Sequence, residues 1–296
     1  MAATRKTQRH IQREDAAAGL QDLAGDRFPS ARLGRRDTYD TWAVISDATL
    51  VYGGRDDFYG VELVSRMLHT GGDWQHEVET LFNLLYEYFD VVADSHCGTH
   101  VHVSPGYMGN RKQDWTPNQV RHILKSLCLF DTQITMMLPI ERRRSTYCTS
   151  FLSGSNAAQD LPPYQAQILQ TGRYDGLFGF IDGLATVEAV AAVFESRWYY
   201  ANLQSLVTKK RTIEFRCPPG SANAADATHW ILWVLSFVYG ALEKGRYGYG
   251  VMTRSRMSYT HTSSSSERAT GPCQLLRSAV PSSSTGTWRT TERDRA

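Results

Sequence analysis

Two short segments of this sequence alternate polar and apolar residues, and they constrain the fold more than any other feature. The first is residues 100–103 (HVHV) and the second is residues 212–217 (TIEFRC). Successive side chains of a β-strand point to opposite faces of a sheet. Each segment therefore predicts a strand with an apolar face that is buried and a polar face that is free for chemistry.

Helix signals lie between the strand patterns. Residues 74–89 have apolar side chains at helical spacing, and residues 116–119 (TPNQ) have the form of a capping box with proline at the first helical position. We expect this second helix to continue to about Leu138, since a proline follows. Strands separated by helices, with a predicted hairpin over residues 199–217, indicate an α+β fold with a mainly antiparallel sheet.

Composition divides the chain into a central domain and two basic ends. Residues 1–36 carry eight basic and four acidic side chains, and residues 252–296 carry seven and three. The C-terminal segment also contains 18 Ser and Thr residues, and such a segment buries too little apolar surface to offset the entropy of ordering. We therefore expect disordered termini, the second of them rich in Ser, Thr and Arg, around a folded domain at residues 37–251.

Charge and hydropathy exclude several functional classes. Residues 37–251 carry 17 basic and 23 acidic side chains, whereas nucleic-acid-binding proteins concentrate positive charge on the folded part. The longest apolar run, residues 230–242, is shorter than the roughly 20 residues that cross a bilayer, and no apolar signal segment begins the chain. The five cysteines lack paired spacing. We expect a cytoplasmic protein with no specific nucleic-acid partner and no membrane partner.

The His-x-His pair is the first candidate for chemistry. His100 and His102 lie on one face of the predicted strand, so their imidazoles could bind a metal ion or contact a phosphate. The same pattern fits two ordinary histidines on a solvent-facing strand. The motif alone leaves both interpretations open.

A carboxylate and a guanidinium form the second candidate. Glu214 and Arg216 share a strand face, where they could form a surface ion pair of about 0–1 kcal/mol. Taken alone, the motif favours this ion pair. The alternative is that the two residues hold Mg²⁺ and phosphate, because carboxylate oxygens suit the metal and the planar guanidinium suits phosphate oxygens. Glu62 lies on the polar face of a third predicted strand, residues 59–64. If the three strands are neighbours in one sheet, their polar faces form a single site.

The order of these motifs resembles the amidoligase family, which comprises carboxylate–amine ligases related to glutamine synthetase. The matching stretches span about 175 residues, namely 42–49 (WAVISDAT), 60–65 (GVELVS), 97–103 (CGTHVHV), 201–203 (ANL) and 212–216 (TIEFR). The resemblance implies that residues 37–251 form a catalytic domain with a curved antiparallel sheet of the glutamine synthetase type. It also implies that this sheet binds ATP and Mg²⁺ or Mn²⁺.

The activity implied by the resemblance is amide formation. ATP would activate a small-molecule or peptide carboxylate as an acyl phosphate, which an amine donor would then attack. By position in the motifs, the metal ligands would be Glu62, His100, His102 and Glu214, with His100 either a ligand or a support for one.

The resemblance also implies catalytic and phosphate-binding residues. The catalytic residues would be His102, Glu214 and Arg216, and Arg216 would stabilise the transferred phosphate. One member of the triplet Arg142, Arg143 and Arg144 would bind the nucleotide phosphate or the substrate carboxylate. Arg143 and Arg144, together with Arg216, are the candidates for nucleotide binding.

One departure from the family pattern leaves other functions open. The family begins with a Gly-x-Glu-x-Glu strand that supplies metal carboxylates, and residues 1–36 contain no such motif. The chain could therefore be a catalytically inactive remnant. It could also be a metal-dependent hydrolase that uses the His-x-His pair with a further ligand, for which the available histidines are His69, His76, His122 and His229. A third alternative makes Cys97 a nucleophile beside His96 or His100, although a tight turn with a small buried thiol explains this cysteine better.

Overall fold

A computed structural model describes residues 2–5, 42–46, 59–108, 111–152, 164, 168, 170–194 and 196–249. All of them belong to one compact unit, Met1–Arg256, and a second unit, Met257–Ala296, lies outside the described residues. The predicted disorder of residues 1–36 is wrong for residues 2–5, which form a strand of the largest sheet. The remainder of that segment and residues 252–296 lie outside the described residues. The described part contains seven α-helices and three antiparallel sheets, which agrees with the predicted mixture of helices and antiparallel strands.

The largest sheet has four strands. They are β1 (Ala2–Arg5), β2 (Ala43–Ser46), β3 (Tyr59–Val64) and β4 (Phe89–Val92), and the third of these was predicted with the same bounds. Their order in the sheet is β2-β3-β1-β4, and each neighbouring pair is antiparallel.

The second sheet carries both alternating motifs. Its strands are β5 (Val101–Val103), β8 (Ala201–Asn202) and β9 (Ile213–Phe215), with β9 between the other two. A separate hairpin is formed by β6 (Tyr107–Met108) and β7 (Arg111–Lys112). The predicted hairpin over 199–217 is confirmed by the antiparallel pair β8–β9. A 3-10 helix, Gln204–Val207, lies between its strands.

The helices are of unequal length. Their bounds are α1 Trp74–Tyr88, α2 Pro117–Leu129, α3 Asp131–Met137, α4 Ile140–Arg143, α5 Asp175–Asp182, α6 Val187–Ala192 and α7 Ala224–Tyr247. The capping box at the start of α2 is confirmed, because Thr116 Oγ1 accepts from the Gln119 amide and Gln119 Oε1 accepts from the Thr116 amide.

The single helix expected to run to Leu138 is wrong, because the chain breaks at Phe130 and begins a new helix at Asp131. The Asp131 carboxylate is buried, and it accepts hydrogen bonds from Ser150 Oγ at 2.6 Å and from the Phe151 amide at 2.8 Å. A carboxylate in the first turn of a helix is also favoured by the helix dipole. These tertiary contacts stabilise the break, and sequence periodicity does not reveal them.

Helices cover the apolar faces of both sheets. Under α1, a buried cluster joins the helix to the four-stranded sheet and to α7, and it contains Trp42, Val61, Trp74, Val78, Leu81, Phe82, Leu85, Phe89 and Ala227. Helix α7 also packs against α2. In the second sheet, Ile213 and Phe215 are fully buried, and the Phe215 ring lies 6.0 Å from that of Phe237 on α7. The polar residues of β5 and β9 therefore face away from this helix.

None of the helices in the described part of the chain is long and apolar enough to cross a bilayer.

Candidate active site

A row of three polar residues crosses the second sheet. His102 on β5 and Asn202 on β8 are both register partners of Glu214 on β9. Directly opposed residues on neighbouring strands project to the same face of a sheet. The structure thus places His102 and Glu214 side by side, as the alternating pattern predicted.

Glu214 is the centre of this row. Its side chain is only 8% exposed, and Oε1 accepts a hydrogen bond from Arg216 Nη1 at 2.6 Å. The other oxygen, Oε2, accepts from Asn202 Nδ2 at 2.7 Å and lies 3.4 Å from Ser205 Oγ. Ser205 Oγ in turn accepts from Asn202 Nδ2 at 3.1 Å. Both carboxylate oxygens are therefore fixed in position by donors.

The two histidines converge on the oxygen that Arg216 contacts. His100 Nδ1 lies 3.4 Å and His102 Nε2 lies 3.9 Å from Glu214 Oε1. The second ring nitrogen of His102, Nδ1, is 3.0 Å from Thr212 Oγ1, which orients that imidazole. Four predicted site residues, His100, His102, Glu214 and Arg216, thus surround one point.

Burial sets the protonation states. Burial lowers the pKa of His100 to about 4, assisted by the positive charge of Arg216, and burial likewise lowers the pKa of His102 to about 4. Burial acts to raise the pKa of Glu214, but His102 and Arg216 outweigh it and lower the pKa. At neutral pH the site therefore contains an ionised carboxylate and two neutral imidazoles.

Aromatic residues support Arg216 from the other side. Its guanidinium carbon lies 5.0 Å from the centre of the Trp198 ring, and its Nε donates to the Tyr147 carbonyl at 3.4 Å. The rings of Tyr147 and Trp198 meet edge to face at 5.1 Å. The sequence analysis missed Trp198 and Asn202 as site residues, although the matched triplet ANL contains Asn202 and was a usable signal.

Of the arginine triplet, the structure brings Arg142 to the site. Arg142 is buried, and it donates through Nη2 to the Arg216 carbonyl at 2.5 Å and through Nε to the Cys217 carbonyl at 3.5 Å. Arg143 instead donates to carbonyls at the C-terminal end of α3, those of Met136 and Leu138.

The third member, Arg144, is exposed at the end of α4. Consecutive helical residues point about 100° apart, and the fold turns only Arg142 towards β9.

Glu62 lies in the other sheet. It is the register partner of Ile45 on β2, and the neighbours of its own strand β3 are β2 and β1. The expectation that all three motif strands are neighbours in one sheet is therefore wrong for β3. This strand pairs instead with the strand that precedes it in the described sequence, and its Val61 is buried in the cluster under α1.

The geometry does not fit a resident Mg²⁺ or Mn²⁺. Within the described ranges, no group of three or more His, Cys, Asp and Glu side chains is arranged to hold a metal ion. The oxygen of Glu214 that faces both imidazoles already accepts from Arg216, so a guanidinium stands where a cation would have to be. Mg²⁺ also prefers oxygen ligands, whereas this cluster offers one carboxylate and two imidazoles.

Cys97 is a small buried thiol in this structure. It is 1% exposed, its Sγ lies 3.5 Å from Asp94 Oδ1, and a Cβ on Gly220 would stand 2.4 Å from its own Cβ. A nucleophile must reach its substrate, and this packing leaves the thiol no such access.

Comparison with known families agrees with the motifs. The model of one family, described as "Putative amidoligase enzyme", matches residues 6–238. Comparisons with curated proteins and with solved structures found no match. The matched region includes the whole row from His102 to Asn202, as well as Arg142 and Arg216. Because the match covers well over half of the sequence, the chain belongs to the amidoligase family.

Proposed function

We propose that this protein is an ATP-dependent carboxylate–amine ligase that forms an amide through an acyl phosphate. Family membership supports the ligase role. The observation that carries the proposal is the convergence of His100, His102 and Arg216 on the Glu214 carboxylate. In this proposal the second sheet belongs to a curved antiparallel sheet of the glutamine synthetase type.

The reaction consists of two substitutions. A carboxylate oxygen of the acyl donor attacks the γ-phosphorus of ATP, and ADP leaves. The amine nitrogen then attacks the acyl carbon, phosphate leaves with the bonding electrons, and the nitrogen loses a proton. Both steps place negative charge on phosphoryl oxygens, so fixed cationic groups lower the barriers.

Arg216 is a cationic residue that the fold holds in a fixed position. Glu214 and the Tyr147 carbonyl each accept from one of its donors, and its guanidinium carbon lies 5.0 Å from the centre of the Trp198 ring. A guanidinium carries five N–H donors. The remaining donors would stabilise the transferred phosphoryl group without reorganising the side chain.

The neutral imidazoles have a separate role. A neutral imidazole has one nitrogen with a free lone pair, and it can accept the proton that the attacking amine loses. His102 is the better oriented of the two, because Thr212 fixes its ring. The ionised carboxylate of Glu214 would stabilise the resulting imidazolium.

Arg216, and not a resident metal ion, neutralises the phosphoryl charge in this proposal. The described residues do not fit a resident Mg²⁺ or Mn²⁺. The Glu214 side chain acts here by fixing Arg216 and by stabilising positive charge nearby.

The test is ADP release by the purified full chain. We expect release in the presence of Mg²⁺ only when ATP, a carboxylate mixture and an amine mixture are all supplied, with the amide detected by mass spectrometry. Glu214→Gln should reduce the rate at least about 100-fold, because it removes the charge that orients Arg216. Arg173→Gln is the control, since Arg173 forms an exposed ion pair with Asp175.

Two results would contradict the proposal. One is ADP release that continues without a carboxylate or without an amine. The other is a wild-type rate in Glu214→Gln. A chain that binds no nucleotide at all would instead be an inactive member of the family.

A further inference from the structure

Four basic residues meet on the surface just before strand β9. Lys209, Lys210 and Arg211 follow one another in the chain, and all three are exposed. Lys112, on β7 of the separate hairpin, donates through Nζ to the Lys210 carbonyl at 3.2 Å. These four residues are called the basic surface below. The fold thus brings positive charge together from two distant segments of the chain.

The basic surface has an excess of positive charge. Arg211 Nη1 lies 3.0 Å from both carboxylate oxygens of Asp114. No other carboxylate among the described residues forms an ion pair with the basic surface. Residues 37–251 as a whole carry 17 basic and 23 acidic side chains. A local excess of positive charge on an otherwise acidic domain favours a partner that is negatively charged.

The backbone that carries these cations is fixed in shape. Arg211 has a φ of 51°, in the left-handed region that residues other than glycine seldom adopt. Such a conformation persists only where surrounding contacts hold it. The Arg211 amide donates to the Thr208 carbonyl at 3.2 Å, and the Arg211 side chain pairs with Asp114. Lys112 holds the carbonyl of the preceding residue. The cations are therefore in place before a partner binds.

The basic surface adjoins the candidate active site. Thr212 directly follows Arg211, and its Oγ1 lies 3.0 Å from Nδ1 of His102. Burial lowers the pKa of His102 to about 4, and the positive charge of Lys210 contributes to this shift. A surface charge acts on an imidazole in this way only from nearby. The basic surface therefore lies beside the His102 end of the site.

Arg216, which would bind the transferred phosphate, lies at the other end of β9. The three residues of this strand, Ile213–Phe215, separate Arg216 from Thr212. At about 3.3 Å per residue the strand is about 10 Å long, and an extended peptide needs about three residues to span that length. A free amino acid is too short to contact both ends. A substrate that reaches from Arg216 to the basic surface must be a longer chain.

We propose that the basic surface docks an acidic peptide, and that one carboxylate of this peptide is the acyl donor in the neighbouring site. The other carboxylates of the peptide supply the negative charge that the basic surface lacks. This inference rests on the proposed ligase function and deepens it. The family resemblance leaves small-molecule and peptide donors open, and the length of β9 favours the peptide.

The experiment measures peptide binding without catalysis. A dye-labelled peptide of about six glutamates is titrated with the purified full chain, and its fluorescence anisotropy is recorded at low ionic strength. We expect binding of this peptide and no binding of a glutamine peptide of the same length. Salt at about 0.15 M should weaken the binding, because it screens exposed charges.

A double variant tests whether the lysines carry the binding. Lys209→Gln with Lys210→Gln removes two cations of the basic surface, so it should weaken peptide binding roughly tenfold. Arg173→Gln with Arg246→Gln is the matched control, because it also neutralises two exposed cations, and these lie outside the basic surface. The control should bind the peptide like the wild type.

A variant of Asp114 should change binding in the opposite direction. Asp114→Asn removes the carboxylate that pairs with Arg211, so this arginine becomes available to the peptide. We expect binding several-fold tighter than in the wild type. Unchanged or weaker binding would show that the excess charge does not attract the peptide, and it would contradict the proposal.

The phosphate chain of ATP is the competing occupant, and inorganic tripolyphosphate tests it. If tripolyphosphate binds through Lys209 and Lys210 more tightly than the peptide does, the basic surface belongs to the nucleotide and the proposal is overturned. It is also overturned if the wild type does not bind the glutamate peptide. Equal binding by the double lysine variant and its arginine control has the same consequence.

Kinetic measurements separate the basic surface from the ligase proposal. A chain that binds the acidic peptide through the two lysines but forms no amide contradicts only the ligase. In a working ligase the double lysine variant should raise the KM for the peptide roughly tenfold and leave kcat unchanged, because neither lysine contacts the reacting atoms. A wild-type KM for the peptide in that variant contradicts only the docking of the peptide.

Discussion

The guanidinium of Arg216 donates a hydrogen bond to the same oxygen of Glu214 that both site imidazoles face. Arg216 Nη1 lies 2.6 Å from Glu214 Oε1, and the nearest nitrogens of His100 and His102 lie 3.4 Å and 3.9 Å from the same atom. A guanidinium thus holds the position between this carboxylate and the two imidazoles.

Removal of Arg216 should convert the cluster into a metal site. Arg216→Ala leaves a buried carboxylate beside two imidazoles, so the free energy of unfolding should fall by about 3–5 kcal/mol. Two imidazoles and a carboxylate suit Zn²⁺. We therefore expect Zn²⁺ to raise the thermal midpoint of Arg216→Ala and to leave the wild type unchanged. Equal stabilisation of both proteins, or none in the variant, would contradict this interpretation.

Asn202 should be a positioning residue for Glu214. It is 5% exposed and donates to Glu214 Oε2. Asn202→Ala leaves that oxygen with one donor fewer, so the free energy of unfolding should fall by about 1–3 kcal/mol. Urea denaturation measures the loss. The exposed Asn118 offers the control Asn118→Ala, expected within about 0.5 kcal/mol of the wild type. If both variants lose the same amount, Asn202 has no special role.

Stability should decrease on acidification because of the two histidines. Their pKa values in the folded chain are about 4, against an ordinary 6.5. Between these values the unfolded chain binds protons that the folded chain does not, so the free energy of unfolding falls as the pH drops from about 6.5 to about 4. Glu214 acts in the same direction at lower pH, because its pKa is also lowered.

His102→Gln tests the origin of this pH dependence. It removes one of the two groups, so the decline in unfolding free energy should be shallower than in the wild type. Urea denaturation at stepped pH values gives the slopes, and exposed His76→Gln is the control. A decline in His102→Gln as steep as that of the wild type would show that other groups cause it.

Cys97 should be dispensable for catalysis. Its thiol is buried against Asp94 and Gly220, so Cys97→Ala should keep the rate of ADP release within about threefold of the wild type, as expected for a thiol with only a packing role. The other described cysteines, Cys128, Cys148 and Cys217, are also buried. A thiol-alkylating reagent should therefore leave these four described cysteines unmodified in the folded protein, as peptide mass spectrometry would show. A complete loss of activity in Cys97→Ala would restore the thiol-enzyme hypothesis.

Local sequence patterns predicted the strands that carry His102 and Glu214. They did not predict all of the other side chains that contact these residues in the site. Alternation placed His102 and Glu214 on polar faces because a strand has a fixed period of two. The prediction that the strand of Glu62 lies in the same sheet as His102 and Glu214 was wrong. Which strands pair depends on contacts between distant segments, and a local pattern does not show these contacts. The arginine triplet shows the same limit. Spacing cannot tell which of three consecutive helical residues points inward, and the structure selects Arg142 through the carbonyls at the end of β9.

Helix α4 has only four residues, yet it ties two layers of the protein together. On one side Arg143 holds the carbonyls that end α3, and on the other Arg142 holds the carbonyls that follow Glu214. A shift of this single turn would therefore move the main chain of Arg216 directly. Substitutions at its first residue, Ile140, which lies on the surface, should therefore shift Arg216 without changing any residue of the proposed site.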